Sequence, residues 1–148
     1  MLKGIHPLLT ADLLHALAAM GHGDEVAIVD ANFPATRLGT RVVELPGATS
    51  PECLSAVLTV FPLDTSTTQP ALTMQVVGEP HAVPEAVADF AAIIRANEPG
   101  NVEIGALERH AFYERVANAF AIVRTGELRP YGNILLVKGV VNRYEPAR

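Results

Sequence analysis

A histidine and an aspartate flank one short apolar segment, and together they could move protons or bind hydroxyl groups. His22 lies between two glycines shortly before the segment 25–29, and Asp30 follows that segment directly. An unperturbed imidazole titrates near ~6.5, so histidine can give and accept protons at neutral pH. The flanking glycines leave the backbone uncrowded, which would let a ligand approach closely. We therefore take His22 as a candidate general acid and base, and Asp30 as a candidate binding carboxylate.

Both residues also have ordinary structural interpretations. A histidine that follows a helix ending at Gly21 can bond the exposed carbonyl groups and the negative dipole end of that helix. An aspartate after a strand can bond its own backbone in a turn. His22, Asp24 and Asp30 could also be imagined as metal ligands, but their spacing matches no specific metal motif. We expect neither a metal nor an organic cofactor.

Two further segments carry side chains suited to a hydroxyl-rich ligand. Arg109 and Tyr113 are four residues apart, so on a helix they share one face and could hold hydroxyl groups or a carboxylate. The alternative for this helix is a solvated surface crossed by its own salt bridges. The segment Tyr131-Gly132-Asn133 precedes an apolar run, and its phenol and amide can donate and accept hydrogen bonds. Taken alone, that segment is also typical of an ordinary turn.

Predicted strands and helices alternate along most of the chain and would position these groups. Apolar runs predict strands at 25–29, 41–45, 72–77, 102–107, 119–123 and 133–137. Capping residues and helical spacing predict helices after Thr10, from 50 to about 60, from 84, and from 108 to about 118. This alternation favours an α/β fold with a sheet covered by helices. The last two strands are joined without a helix, so the sheet should be mixed.

Bulk composition excludes several classes of function. A length of 148 residues fits one domain, 1–148. The net charge of −5, without clustered Lys or Arg, argues against a nucleic-acid partner. Cys53 is the one cysteine, and a buried structural thiol is expected there. The segment 1–7 lacks the apolar region of a signal peptide, and no run approaches a membrane span, so we expect a cytoplasmic protein without a membrane partner. Dinucleotide, P-loop and nucleophile-elbow motifs are absent from the sequence.

Several motifs in order along the chain resemble the D-ribose pyranase / L-fucose mutarotase family, and its L-fucose mutarotase branch in particular. They begin with Met1-Leu2-Lys3-Gly4-Ile5, Met20-Gly21-His22-Gly23-Asp24-Glu25 and Asp30-Ala31-Asn32-Phe33-Pro34-Ala35. They continue with Ala111-Phe112-Tyr113-Glu114-Arg115, Thr125-Gly126-Glu127, Tyr131-Gly132-Asn133-Ile134-Leu135-Leu136 and Lys138-Gly139-Val140. One position departs from the branch, since His110 stands where members usually have an aromatic residue.

The resemblance implies an isomerase that interconverts the anomers, or ring forms, of a free monosaccharide, L-fucose first among them. It implies His22 as the catalytic residue and Asp30, Arg109, Tyr131, Gly132 and Asn133 as sugar-binding residues. It also implies a three-layer α/β/α fold with a mixed, mostly parallel sheet, and a ring-shaped homo-oligomer, often a decamer, with sites where subunits meet.

The reaction would need one general acid and base near neutral pH, and this role falls to His22. Tyr131 or a bound water is left as the second proton carrier. D-ribose pyranase activity and a sugar-binding or scaffold protein without turnover are the alternatives.

Overall fold

Six strands and five helices alternate in the part of the chain that the computed structural model describes, residues 1–39 and 41–146. The strands are β1 (Glu25–Val29), β2 (Val42–Leu45), β3 (Ala71–Met74), β4 (Ile104–Leu107), β5 (Ala121–Thr125) and β6 (Ile134–Val137). The helices are α1 (Ala11–Ala19), α2 (Ala35–Leu38), α3 (Ser50–Leu58), α4 (Glu85–Asn97) and α5 (Arg109–Ala117). Among these described residues, no helix is long and apolar enough to span a bilayer.

The strands form one mixed sheet in the order β2-β5-β1-β6-β3-β4. Strand β5 runs parallel to both β1 and β2, and β3 runs parallel to β4. Strand β6 lies between β1 and β3 and is antiparallel to both. Three of the five neighbouring pairs are therefore parallel, which confirms the prediction of a mixed, mostly parallel sheet.

Helices cover both faces of this sheet. Val26 and Ile28 of β1 pack into one core with α1, α3 and α4, whereas Ala27 and Val29 pack into a second core with α2 and α5. Successive side chains of a strand point to opposite faces, so β1 needs apolar residues at each of the positions 26–29. The three-layer α/β/α arrangement implied by the resemblance is confirmed.

The end of α1 differs from the expectation for Gly21. Met20 is extended (φ −65°, ψ 139°), and the left-handed backbone conformation falls on Gly23 (φ +84°) rather than on Gly21. The ammonium group of Lys138 donates to the carbonyl oxygens of Leu17 at 2.7 Å and Met20 at 2.6 Å. A lysine from beyond β6 thus satisfies the carbonyls at the helix end, so no left-handed glycine is required there.

Other elements also differ from the prediction: β3 ends at Met74, three residues early, and β4 begins at Ile104, two residues late. Helix α2 was not expected, because a helix of four residues is too short to show a repeating apolar pattern. Strand β5 begins and ends two residues later than predicted, because Arg124 and Thr125 continue it. Arg124 pairs with Glu44 of β2, and the hydroxyl of Thr125 donates to the carbonyl of Val29 at 2.8 Å. Neighbouring strands thus supply partners for Arg124 and Thr125, two polar residues that lie outside the predicted strand.

Candidate active site

A cavity of about 360 Å³ opens at the carboxyl end of β1. Five residues selected from the sequence line it: Asp30, Arg109, Tyr113, Tyr131 and Asn133. The other lining residues are Asn32, Phe33, Met74, Leu128, Arg129 and Pro130. Ligands of α/β sheets gather at such strand ends. The cavity therefore brings a carboxylate, a guanidinium, phenols and an amide onto one partly apolar surface.

Asp30 is a buried carboxyl group at the end of β1. Its backbone N–H donates to Oδ1 of Asn133 at 2.7 Å, and its own Oδ1 accepts the N–H of Asn32 at 2.9 Å. Burial raises the pKa of Asp30, and the nearby negative charge of Glu127 acts in the same direction. A carboxylate held in this way would gain from hydroxyl donors supplied by a ligand. The turn interpretation and the binding interpretation of Asp30 therefore both fit the geometry.

Tyr131 has the left-handed backbone conformation (φ 59°), which is uncommon for any residue other than glycine. Its phenol oxygen accepts the backbone N–H of Val77 at 3.2 Å, so the phenol proton remains available to donate into the cavity. The neighbouring Gly132 does not line the cavity; a Cβ there would lie 2.6 Å from Cγ of Glu127. Gly132 therefore allows close packing behind the site.

Arg109 and Tyr113 share the cavity-facing side of α5, as their spacing predicts. The guanidinium carbon of Arg109 lies 6.0 Å from the ring centroid of Tyr113. The Tyr113 ring meets Phe33 edge to face, with centroids 5.4 Å apart. The alternative interpretation of α5 was a surface with salt bridges inside the helix. Arg115 instead pairs with Glu25 of β1.

Arg129 and Glu127 are components of the site that the sequence interpretation missed. Glu127 is 2% exposed, and its carboxylate accepts two hydrogen bonds from the Arg129 guanidinium at 3.0 and 3.1 Å. This contact lowers the pKa of Glu127. The carbonyl of Glu127 also accepts the N–H of Ala31, which follows Asp30. The two-residue spacing of Glu127 and Arg129 just before the Tyr131 segment was the available signal.

His22 lies at the opposite end of β1 from this cavity. Its side chain is 52% exposed, and Nε2 lies 3.3 Å from Oδ1 of Asp64. The following Gly23 donates its N–H to the carbonyl of Lys138 at 2.8 Å, so the His22 turn is attached just beyond the end of β6. Helix capping, the structural alternative for His22, is performed by Lys138 instead.

The register of β1 against β6 shows how far apart the two candidate groups are. Glu25 pairs with Val137 at one end of β6, and Ile28 pairs with Ile134 at the other. Strand β1 has five residues, which span roughly 16 Å at about 3.3 Å per residue. A ligand in the Asp30 cavity is therefore out of reach of His22 in the same chain.

The same separation bears on the metal alternative. Asp24 accepts the backbone N–H of Gly21 at 2.7 Å, which is a local contact in the His22 turn. Asp30 is at the other end of the strand, so His22, Asp24 and Asp30 do not converge. Within residues 1–39 and 41–146, no three His, Cys, Asp or Glu side chains form a cluster that could hold a metal ion.

Comparisons with known proteins agree on one family. The sequence profile of the RbsD / FucU transport protein family matches residues 3–141. The L-fucose mutarotase of Histophilus somni (strain 2336) is 43% identical over 141 residues, covering 95% of this chain and 97% of that protein. The fucose mutarotase of Streptococcus pneumoniae, solved in complex with L-fucose, superposes with a TM-score of 0.88 at 37% identity, covering 95% and 99% of the two chains.

Bacillus subtilis RbsD, solved in complex with D-ribose, superposes with a lower TM-score of 0.73 at 23% identity, covering 95% of this chain and 99% of that one. That likeness concerns the fold alone. The profile match and the full-length relatives together show that this chain belongs to the RbsD / FucU transport protein family.

Proposed function

We propose that this protein is a mutarotase, an isomerase that interconverts the α and β anomers of a free monosaccharide, with L-fucose as the first candidate. The observation that carries the proposal is the cavity at the end of β1, where Asp30, Arg109, Tyr131 and Asn133 converge. The full-length likeness to proteins named L-fucose mutarotase supports this assignment over D-ribose pyranase. Phe33 and Met74 add an apolar surface suited to the methyl group of a 6-deoxy sugar.

The chemistry requires only proton transfers. The anomeric hydroxyl loses a proton as its oxygen becomes the aldehyde, the bond from the anomeric carbon to the ring oxygen breaks, and the ring oxygen gains a proton. Rotation of the aldehyde and the reverse steps give the other anomer. One base and one acid suffice, and such catalysis contributes of order 10²–10⁴ in rate. His22 takes the role of main general acid and base, and Tyr131, whose proton is free to donate, is the candidate second carrier.

Because His22 and the cavity lie at opposite ends of β1, the proposed site needs two protomers. One protomer supplies the cavity and a neighbour supplies His22. Exposed apolar side chains accompany both halves. Val77 and Leu128 lie beside Tyr131, and Val140 and Val141 follow the residue that anchors the His22 turn. Two different surfaces that contact head to tail close into a ring when the rotation between neighbours divides a full turn, and the resemblance implies such a ring, often a decamer.

Exchange spectroscopy on free sugars tests this function. Catalytic amounts of protein are added to L-fucose, D-ribose and D-galactose, and anomer exchange is measured by NMR. We expect L-fucose exchange to accelerate, in proportion to the protein added. Binding without accelerated exchange of any sugar would contradict the mutarotase assignment and favour a sugar-binding protein. Faster exchange of D-ribose than of L-fucose would favour the pyranase alternative.

A further inference from the structure

Glu127 is a buried carboxylate behind the cavity, and the proposed mechanism does not use it. It is 2% exposed, and it does not line the cavity. Burying a charged group is costly unless the group is paired and hydrogen-bonded. The guanidinium of Arg129 supplies that pairing and lowers the pKa of Glu127, so the carboxylate is ionised at neutral pH. The contacts of this residue indicate what a charge in this position does.

The main chain of Glu127 holds the turn that contains Asp30. Its carbonyl accepts the N–H of Ala31, the residue after Asp30, at 2.9 Å. Its own N–H donates to Oγ1 of Thr125 at 3.2 Å. The Thr125 hydroxyl in turn donates to the carbonyl of Val29, the residue before Asp30, at 2.8 Å. Both neighbours of Asp30 are therefore fixed by bonds that do not involve the Glu127 side chain.

The side chain of Glu127 holds the turn that contains Tyr131. Oε1 accepts the backbone N–H and the Nε–H of Arg129, both at 3.0 Å, and Oε2 accepts the Nη2–H at 3.1 Å. On the other side of Tyr131, a Cβ at Gly132 would lie 2.6 Å from Cγ of Glu127, so the turn packs directly on this side chain. The left-handed backbone of Tyr131 thus lies between two residues that contact Glu127.

Helices α3 and α4 hold the carboxylate and its cation in place. The hydroxyl of Ser50, the first residue of α3, donates to Oε2 of Glu127 at 3.4 Å. The guanidinium of Arg129 also donates to Oδ2 of Asp89 on α4 at 2.8 Å. The position of the pair is therefore set by the protein, and no ligand is needed to form it.

Building on the proposed function, we propose that Glu127 is the positioning residue of the sugar cavity and fixes the separation of Asp30 and Tyr131. Its main chain holds the proposed binding carboxylate, and its side chain holds the phenol proposed as the second proton carrier. A misplacement of about 1 Å costs on the order of 10²-fold in rate, so a fixed separation matters. Glu127 does not touch the sugar and acts only through the two turns.

Substitution of the Glu127 side chain separates these two actions. Glu127→Gln retains the main-chain bond to Ala31, but it removes the charge and places an amide nitrogen where one oxygen accepted the guanidinium. Asp89→Asn is the matched control, because it also takes one negative charge from Arg129 and leaves the contacts of Glu127 in place. A role in stability alone predicts that the two variants behave alike, whereas positioning predicts that only Glu127→Gln changes the cavity.

The first readout is amide NMR of the intact protein without sugar. The N–H of Val77 donates to the phenol oxygen of Tyr131 at 3.2 Å, so its signal reports on the phenol. We expect Glu127→Gln to shift the Val77 signal while the Ala31 amide keeps its protection from hydrogen exchange, and Asp89→Asn to change neither. An unmoved Val77 signal in Glu127→Gln, loss of protection at Ala31, or equal shifts in the two variants would overturn the proposal.

Gly132→Ala tests the same contact from the other side, and it replaces Glu127→Gln if that variant does not fold. A Cβ at residue 132 meets Cγ of Glu127 and pushes the turn away, while the pair of Glu127 with Arg129 is retained. The Val77 signal should move, and Ala31 should remain protected. A wild-type Val77 signal in this variant would overturn the proposal.

The second readout is kinetic and uses the sugar whose exchange wild type accelerates. We expect kcat in Glu127→Gln to fall by roughly 10–100-fold because the phenol is displaced, with KM close to that of wild type because the Asp30 turn is retained. Asp89→Asn should keep both constants. A loss confined to KM, or equal losses of kcat in the two variants, would overturn the proposal. Failure of wild type to exchange any sugar would instead contradict the proposed function, and the NMR test of the two turns would still hold.

Discussion

An aspartate lies near each end of β1, and each accepts a backbone N–H from the residue two positions later. The pKa values of the two carboxyl groups are nevertheless shifted in opposite directions. Asp30 accepts the N–H of Asn32 at 2.9 Å, and Asp64 accepts the N–H of Ser66 at 3.0 Å. Burial raises the pKa of Asp30, whereas the bonds from Ser66 lower the pKa of Asp64. The turn itself therefore does not decide the state of either carboxyl group.

The groups around each aspartate determine the direction of its pKa shift. Asp30 is buried beside the negative Glu127, and the cavity in front of it has room for further hydrogen-bond donors. Asp64 has a hydroxyl donor and an imidazole within reach. The carboxyl group of Asp30 thus has room for hydrogen bonds from a ligand, whereas that of Asp64 already has partners within the protein. The comparison separates a carboxyl group that faces an open cavity from one whose hydrogen-bond partners come from the protein itself.

The largest effect is expected from removing the proposed acid and base, His22, at the first end of β1. We expect His22→Ala to lose of order 10²–10⁴ in anomer exchange, because one proton-transfer group is lost, while sugar affinity changes little. Exchange NMR and calorimetric titration with L-fucose measure the two quantities. His15→Ala on α1 is the matched control and should behave as wild type. Anomer exchange at the wild-type rate in His22→Ala would contradict a catalytic role for His22.

Arg129→Ala should destabilise the region around Asp30, at the other end of β1. It would leave the buried Glu127 without its cation, and breaking such a pair costs about 3 kcal/mol. The melting temperature should therefore fall by roughly 6–12 °C, with the largest local disturbance at Asp30 and Ala31. Thermal unfolding and amide NMR check this. A disturbance that extends to the amide signals around His22 would show that the two ends are not independent.

Asp30→Asn sharpens the comparison because binding and stability should move in opposite directions. Sugar affinity should fall by roughly 10–100-fold through loss of a charged acceptor. Since the folded pKa of Asp30 is raised, its ionised form costs stability above that pKa, and the cost vanishes as pH falls below the unfolded value. The variant should therefore melt a few degrees higher than wild type near pH 7, with the gain lost in acid. A lower melting temperature near pH 7 would contradict this.

The smallest effect is the stability change at the opposite carboxylate. The lowered pKa of Asp64 means that its ionised form stabilises the fold above the unfolded pKa, and this contribution is lost as pH falls through the folded pKa. Asp64→Asn should therefore melt slightly below wild type near pH 7, and the difference should shrink on acidification. Thermal melts of both variants over the same pH range compare the two ends directly. Changes of the same sign would contradict the assigned difference.

The layers of the fold and five of the residues that line the cavity could be predicted from the sequence, because both depend on local patterns. The apolar run of β1 indicates a strand buried on both faces, and the spacing of Arg109 and Tyr113 places both on one side of α5. By contrast, Arg124 in a central strand gave no apolar signal, since its partner Glu44 lies on another strand. Long-range polar pairing of this kind is absent from any single window of sequence.

The arrangement of His22 and Asp30 was harder to predict for the same reason. Proximity in sequence suggested that they act together, but the extended strand between them places them at opposite ends. Asp64, which contacts His22, and Lys138, which binds the N–H of the neighbouring Gly23, are distant in the chain and reach this turn through the end of β6. The sequence alone offers no periodicity that would reveal these contacts.

The most direct test of the shared site mixes two variants, each of which is impaired in one half of the site. His22→Ala and Asp30→Ala chains are co-expressed and co-purified, and anomer exchange of L-fucose is measured on the mixed assemblies. If one protomer supplies His22 and its neighbour supplies Asp30, about a quarter of the sites in an equal random mixture hold both native residues, and exchange returns to about that fraction of wild type. Mixed assemblies whose exchange does not rise above that of either variant alone would contradict a site built from the opposite ends of two β1 strands.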